Sequence, residues 1–113
     1  MADLLVDTDV CIDHLQGVTR LPSRRTTLAY SVVTRAELLA GPEEQHSAAR
    51  RLLAPLRELA VDRRVAEAAA NVRRAFGLRM PDALVAGTAL VHNLTLHTRN
   101  RRDFRKVEGL RLR

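Results

Sequence analysis

Short apolar runs alternate with segments of helical period along the whole chain. Leu4-Leu5-Val6, flanked by Asp3 and Asp7, reads as a buried strand. From Asp9 to about Leu15, residues Val10, Cys11, His14 and Leu15 share one helical face. Asp9 is placed to cap that helix and Gly17 to stop it. Arg20 to Thr26 is polar, contains Pro22 and reads as a loop. Leu28 to Val33 is the second buried strand. Thr34-Arg35-Ala36-Glu37 then opens a helix that closes at Gly41-Pro42. Glu43 to about Leu56 reads as a helix with acids in its first turn and Arg50 and Arg51 late, and Glu58 to Val61 as a third strand. Asp62 caps a helix to Phe76, with Val65, Ala69, Val72 and Phe76 at helical spacing and Gly77 at its end. Pro81-Asp82 starts a helix running to about His92 that is apolar on nearly every side and should be buried. Leu94 to Thr98 alternates as a fourth strand. Asn100 to Lys106 is a basic loop with a helical turn, and Leu110 to Leu112 reads as a short edge strand.

Strands that alternate with helices pair in parallel. The expected fold is therefore α/β, a three-layer α/β/α sandwich around a small parallel sheet of four to five strands. With 113 residues the chain suits a single domain, 1–113. No stretch approaches the roughly 18 apolar residues of a membrane span, and no signal peptide is visible. The single cysteine, Cys11, excludes an intrachain disulfide and reads as packing. These features point to a cytoplasmic protein with no membrane partner.

The net charge is +6, and all but one of the 19 Lys and Arg residues are arginine, Lys106 being the exception. A positive field favours a polyanionic partner, and arginine grips phosphate through a fork that lysine lacks. A GC-rich coding sequence would give the same preference, so charge alone supports nucleic acid only weakly.

Open parallel sheets carry their sites at the carboxyl ends of the strands. That rule selects Asp7 after the first strand, Glu37 one helical turn beyond the second, Asp82 at the start of the buried helix, and Asp103 after the fourth strand with Asn100 three residues earlier. Clustered carboxylates repel unless neutralised, and a hard divalent cation does this with oxygen ligands. Such a cation also activates water against a phosphodiester. Each acid has a simpler reading. Thr34-x-x-Glu37 matches a capping box, Asp82 complements a helix dipole, Asp7 suits a turn and Asp103 a loop cap. Their joint placement at one sheet edge carries the functional reading.

The same residues carry a resemblance. "LLVDTDVCIDHL", "SVVTRAELLAG", "LRMPDALVAGTALVHNLTLHTRNRRDF" and "VEGLRL" occur in order over nearly the whole chain. Together they resemble PIN-domain ribonucleases, in particular the VapC-like toxins of type II toxin–antitoxin systems. The third block is the most specific. The resemblance implies metal-site and catalytic acids at Asp7, Glu37, Asp82 and Asp103, with Thr8, Thr98 and Asn100 orienting them. It implies a Mg²⁺- or Mn²⁺-dependent endoribonuclease acting on RNA such as tRNA or rRNA, a VapB-like antitoxin and a homodimer. Arg99, Arg101, Arg102 and Arg105 are candidates to bind RNA phosphates. Many PIN domains carry Asp where this chain has Asn100, so Asp103 is the candidate fourth acid.

Two other classes compete. A phosphoacceptor signalling domain also clusters acids on a doubly wound sheet, but it needs a lysine near the end of the last strand, and Lys106 is poorly placed. A non-catalytic RNA- or partner-binding module stays open because of Asn100. His14, on an apolar helical face, reads as packing or a dimer contact. His97 lies alone within a strand, so acid–base cleavage by a histidine pair has little support.

Overall fold

The computed structural model describes residues 3–22 and 27–113. Residues 23–26 of the expected Arg20–Thr26 loop lie outside the described residues. Four strands form one sheet in the order β3-β2-β1-β4. They are β1 (Leu4–Val6), β2 (Leu28–Ser31), β3 (Arg57–Leu59) and β4 (Thr95–His97). All three pairings are parallel, with Leu4 opposite Leu28 and Thr95, and Ala29 opposite Arg57. Parallel neighbours need crossovers. The helices α1 (Thr8–Leu15), α2 (Val32–Leu39), α3 (His46–Leu53), α4 (Arg63–Phe76) and α5 (Met80–His92) supply them, and α6 (Arg101–Phe104) follows the last strand.

Strand side chains alternate between two apolar clusters, which makes the sheet the middle of three layers. Leu4, Val6, Leu28 and Tyr30 pack with Val10 and Cys11 of α1, Leu38 of α2 and Leu53 of α3. Leu5, Ala29, Leu59 and Leu96 pack against Ala69 and Val72 of α4, Ala83, Val85, Ala86 and Ala89 of α5, and Phe104. Tyr30 is buried to its ring, and its hydroxyl donates to Glu58 Oε2 on β3 at 2.7 Å while accepting from Arg35 Nη2 of α2 at 2.8 Å. This network ties the outer strand to the sheet.

Helices α4 and α5 meet through small side chains. A Cβ on Gly87 would stand 2.9 Å from the Ala69 backbone nitrogen and 3.1 Å from the Val65 carbonyl oxygen. Both obstacles are backbone, so neither can swing aside. Gly87→Ala is expected to destabilise the protein by about 1–3 kcal/mol despite alanine's better helix propensity. Urea unfolding measures this, and an unchanged midpoint would contradict the close packing.

Several boundaries differ from the sequence pattern. Asp7, not Asp9, caps α1, its Oδ1 accepting from the Thr8 amide at 2.8 Å. Helix α2 starts at Val32 with Ser31 as its cap, so Thr34 lies inside the helix and the capping box that was the simpler reading of Glu37 does not form. The helix expected from Glu43 divides into a 3₁₀ turn (Glu43–Gln45) and α3. The third strand sits at Arg57–Leu59 rather than Glu58–Val61. The expected edge strand at 110–112 is a single parallel bridge from Leu112 to Leu96, so the sheet has four strands. Asp62 caps α4 through the Val65 amide, and Gly77, at φ 75°, ends it, both as the sequence indicates.

Candidate active site

Because every strand runs the same way, β1, β2 and β4 deliver their following residues to one edge. Asp7 leaves β1 there and is buried at 7% exposure. Its second oxygen, Oδ2, accepts from the Thr98 hydroxyl just after β4 at 2.8 Å. That hydroxyl in turn accepts from the Asn100 amide at 3.0 Å. The Thr8 hydroxyl donates to Glu37 Oε1 at 2.6 Å and lies 3.0 Å from the Thr34 hydroxyl. Thr98 thus holds Asp7 at the end of β1, and Thr8 holds Glu37 of α2.

Asp7, Thr8, Asp9, Glu37, Asp82 and Asn100 line one open cleft of about 230 Å³. Asp103 does not line it. With Arg79, Asp82 and Lys106 it borders a neighbouring hollow of about 110 Å³, and its Oδ2 accepts from Asn100 Nδ2 at 3.2 Å. Asp82 is common to both spaces. From the sequence alone, Asp9 is only a candidate helix cap. It stands in the cleft instead and accepts from the Arg99 amide at 3.2 Å. The Asp-Thr-Asp spacing was the available signal, since residue 9 falls in the first turn of a helix that leaves the same edge.

The electrostatics follow from this crowding. Burial pushes the Asp7 carboxyl up to about 6, and the charge of Asp9 adds to the effect. Hydrogen bonds from Thr98 and Thr8 oppose the rise, and Asp82 adds a further increment. Asp82 is also raised, first by burial and then by Glu37, with Asp103 and Asp9 contributing and Arg79 opposing. Asp82 therefore feels charge from both sides of the edge. Cys11, beneath the site, has its thiol pushed up to about 12 by burial, with Asp7 and Asp9 adding to it, which fits packing rather than reactivity.

The donors are oxygen atoms, the set a hard divalent cation prefers. Among the described residues no three His, Cys, Asp or Glu side chains are drawn tightly enough to enclose an ion as they stand. An open cleft that leaves room for several waters suits a hydrated divalent cation.

The expected phosphate-binding arginines divide. Arg101, Arg102 and Arg105 are exposed around α6. Arg99 holds the buried Asp13, Nε to Oδ2 at 3.0 Å. His14 is half-buried and its Nδ1 accepts from the Leu21 amide at 3.0 Å, a packing role.

The chain is thus an α/β protein whose parallel β3-β2-β1-β4 sheet gathers carboxylates at one edge. The PIN domain family model matches residues 4–110, and the chain belongs to that family. Within it, the chain is 36% identical to Ribonuclease VapC10 of Mycobacterium tuberculosis, over 96% of this chain and 90% of the relative. A toxin–antitoxin complex from Klebsiella pneumoniae contains a chain of the same fold, with a TM-score of 0.80, 28% identity, and coverage of 96% of this chain and 95% of that one. DNA-bound VapBC from Salmonella typhimurium shares the fold at a TM-score of 0.87 and 23% identity, covering 100% of this chain and 98% of that one. Among the described residues no helix is long and apolar enough to cross a membrane.

Proposed function

We propose that this protein is a divalent-cation-dependent endoribonuclease toxin, acting in the cytoplasm as a homodimer and neutralised by a VapB-like antitoxin. The observation that carries the reading is the shared cleft of Asp7, Asp9, Glu37 and Asp82, where burial and mutual repulsion disfavour the charge on Asp7 and Asp82. Such an arrangement is unfavourable in itself and is resolved by a cation. The 36% identity to Ribonuclease VapC10 supports RNA as the substrate, and the fold shared with the Klebsiella toxin–antitoxin complex supports the antitoxin.

Asp7, Glu37 and Asp82 would hold Mg²⁺ or Mn²⁺, with Asp103 reached through Asp82 and Asn100. When bound, the cation offsets the acids and polarises the phosphodiester toward attack by water. The chain's own groups do the rest. The Thr98 hydroxyl fixes Asp7, the Thr8 hydroxyl fixes Glu37, and the Arg99 amide holds Asp9 at the rim. The exposed Arg101, Arg102 and Arg105 meet RNA phosphates beside the cleft.

The test is incubation of total RNA with purified protein in Mg²⁺, Mn²⁺ or EDTA, with the new 5′ ends mapped for wild type and Asp82→Ala. The expected result is cation-dependent cleavage leaving 5′-phosphate and 3′-hydroxyl ends, absent in the variant. Cleavage in EDTA, or 2′,3′-cyclic products, would overturn the reading. Binding of RNA without cleavage would instead favour the non-catalytic module that Asn100 leaves open.

A further inference from the structure

A second pocket, of about 310 Å³, lies on the α1 side of the β4 edge, behind the acidic cleft. That volume falls at the lower end of small-ligand sites, roughly 300–1,000 Å³. The two spaces meet at Thr98 and Arg99. Thr98 lines the pocket while its hydroxyl reaches Asp7 of the cleft. Arg99 gives its amide to Asp9 in the cleft and its guanidinium to Asp13 in the pocket. Chain that occupies the cleft and crosses these two residues enters the pocket.

We propose that the pocket is a subsite for the nucleotide that adjoins the scissile phosphate in single-stranded RNA. The proposal rests on the ribonuclease reading for its substrate and on the pocket's chemistry for its place. Among its lining side chains, Arg20, Arg99 and Arg113 face one acid, Asp13, which is already paired with Arg99. That excess of guanidinium fits a phosphate. Val10, Pro22 and the His97 imidazole offer apolar and aromatic faces on which a base can stack. An acidic peptide would satisfy the arginines but leave the stacking faces unexplained.

The experiment compares wild type with Arg20→Ala and Arg113→Ala, two exposed side chains outside the acidic cleft. Steady-state cleavage of a decaribonucleotide is measured across a salt series. Titration with nucleoside 5′-monophosphates in EDTA is followed by the amide resonances of Val10, Thr19 and His97. Each substitution should raise KM about tenfold, leave kcat within about twofold, and reduce the salt dependence by about one phosphate contact. The monophosphates should shift the pocket resonances in wild type. Unchanged KM and salt slope in folded variants that still cleave would overturn the subsite and leave the ribonuclease reading standing. Shifted resonances in a wild type that cleaves no RNA would overturn the ribonuclease reading and, with it, the placement beside a scissile phosphate, leaving a nucleotide pocket alone. Loss of affinity for an acidic antitoxin peptide with KM unchanged would assign the pocket to a protein partner and overturn the proposal.

Discussion

Asp7→Asn is expected to lower RNA cleavage by about 10³-fold or more while making the cation-free protein more stable at neutral pH. The loss follows from removing a charged donor at the end of β1 that two hydrogen bonds hold in place. The gain follows from linkage. In the unfolded chain Asp7 titrates near the ordinary carboxylate value of 3.8, whereas in the fold burial and Asp9 push it up to about 6. Below the lower value both states are protonated and no difference exists. As pH rises from about 4 to about 6, the unfolded chain gives up its proton first, so folding stability falls. Above that window both states are ionised and the folded state carries the whole penalty, on the order of 3 kcal/mol at 1.36 kcal/mol per pKa unit. Asparagine removes the charge. It keeps one oxygen for the Thr8 amide, and the Thr98 hydroxyl can accept from its NH₂ group. The net gain should be about 1–2 kcal/mol at pH 7 and vanish near pH 4. Urea unfolding of both proteins in EDTA at the two pH values checks this. Mg²⁺ or Mn²⁺ should raise the melting temperature of wild type but not of the variant, and the effect should fade below about pH 6 as protons compete for Asp7. A variant no more stable than wild type at pH 7 would contradict the buried charge.

Strong local signals made part of this molecule legible before any coordinates. Asp62 and Gly77 bracket α4 as cap and stop because their backbone requirements are local. The all-round apolar α5 and the short run of β1 likewise read directly, since burial on both sides leaves no polar face to confuse the period. The errors occurred where tertiary structure decides between equivalent local readings. Val32 and Val33 extend an apolar, β-branched run, yet the Ser31 side chain accepts from the Val33 amide and turns the chain into α2 there. Asp7 and Asp9 are both competent caps. The selection of Asp7 depends on its own extended backbone, and that placement frees Asp9 to face the cleft. Asp103 follows the right strand, but α6 carries it past Asn100 into the adjoining hollow. The pocket behind Thr98 joins residues 10, 13, 20, 97 and 113, and no spacing in the sequence links them.

Asp82→Asn should abolish cleavage as thoroughly as Asp7→Asn, by about 10³-fold or more, whereas Asp103→Asn should cost only about tenfold, the scale of a supporting group. Sequence position alone treats these two acids alike. The structure separates them. Asp82 lines the cleft with Asp7, Asp9 and Glu37, and also borders the hollow that holds Asp103. It feels Glu37, Asp103 and Asp9 together, so any cation that offsets the cluster must answer the charge at Asp82. Asp103 reaches the site through an Asn100 amide that occupies one of its oxygens at 3.2 Å. Removing its charge leaves the cleft-lining acids in place and lowers the repulsion on Asp82. The variant should therefore keep cation-dependent cleavage and need more Mg²⁺ to reach it, a shift visible in a titration of rate against Mg²⁺ concentration. Equal losses in the two variants would mean that Asp103 swings into the cleft when the cation binds, and that the resting division between cleft and hollow does not describe the working site.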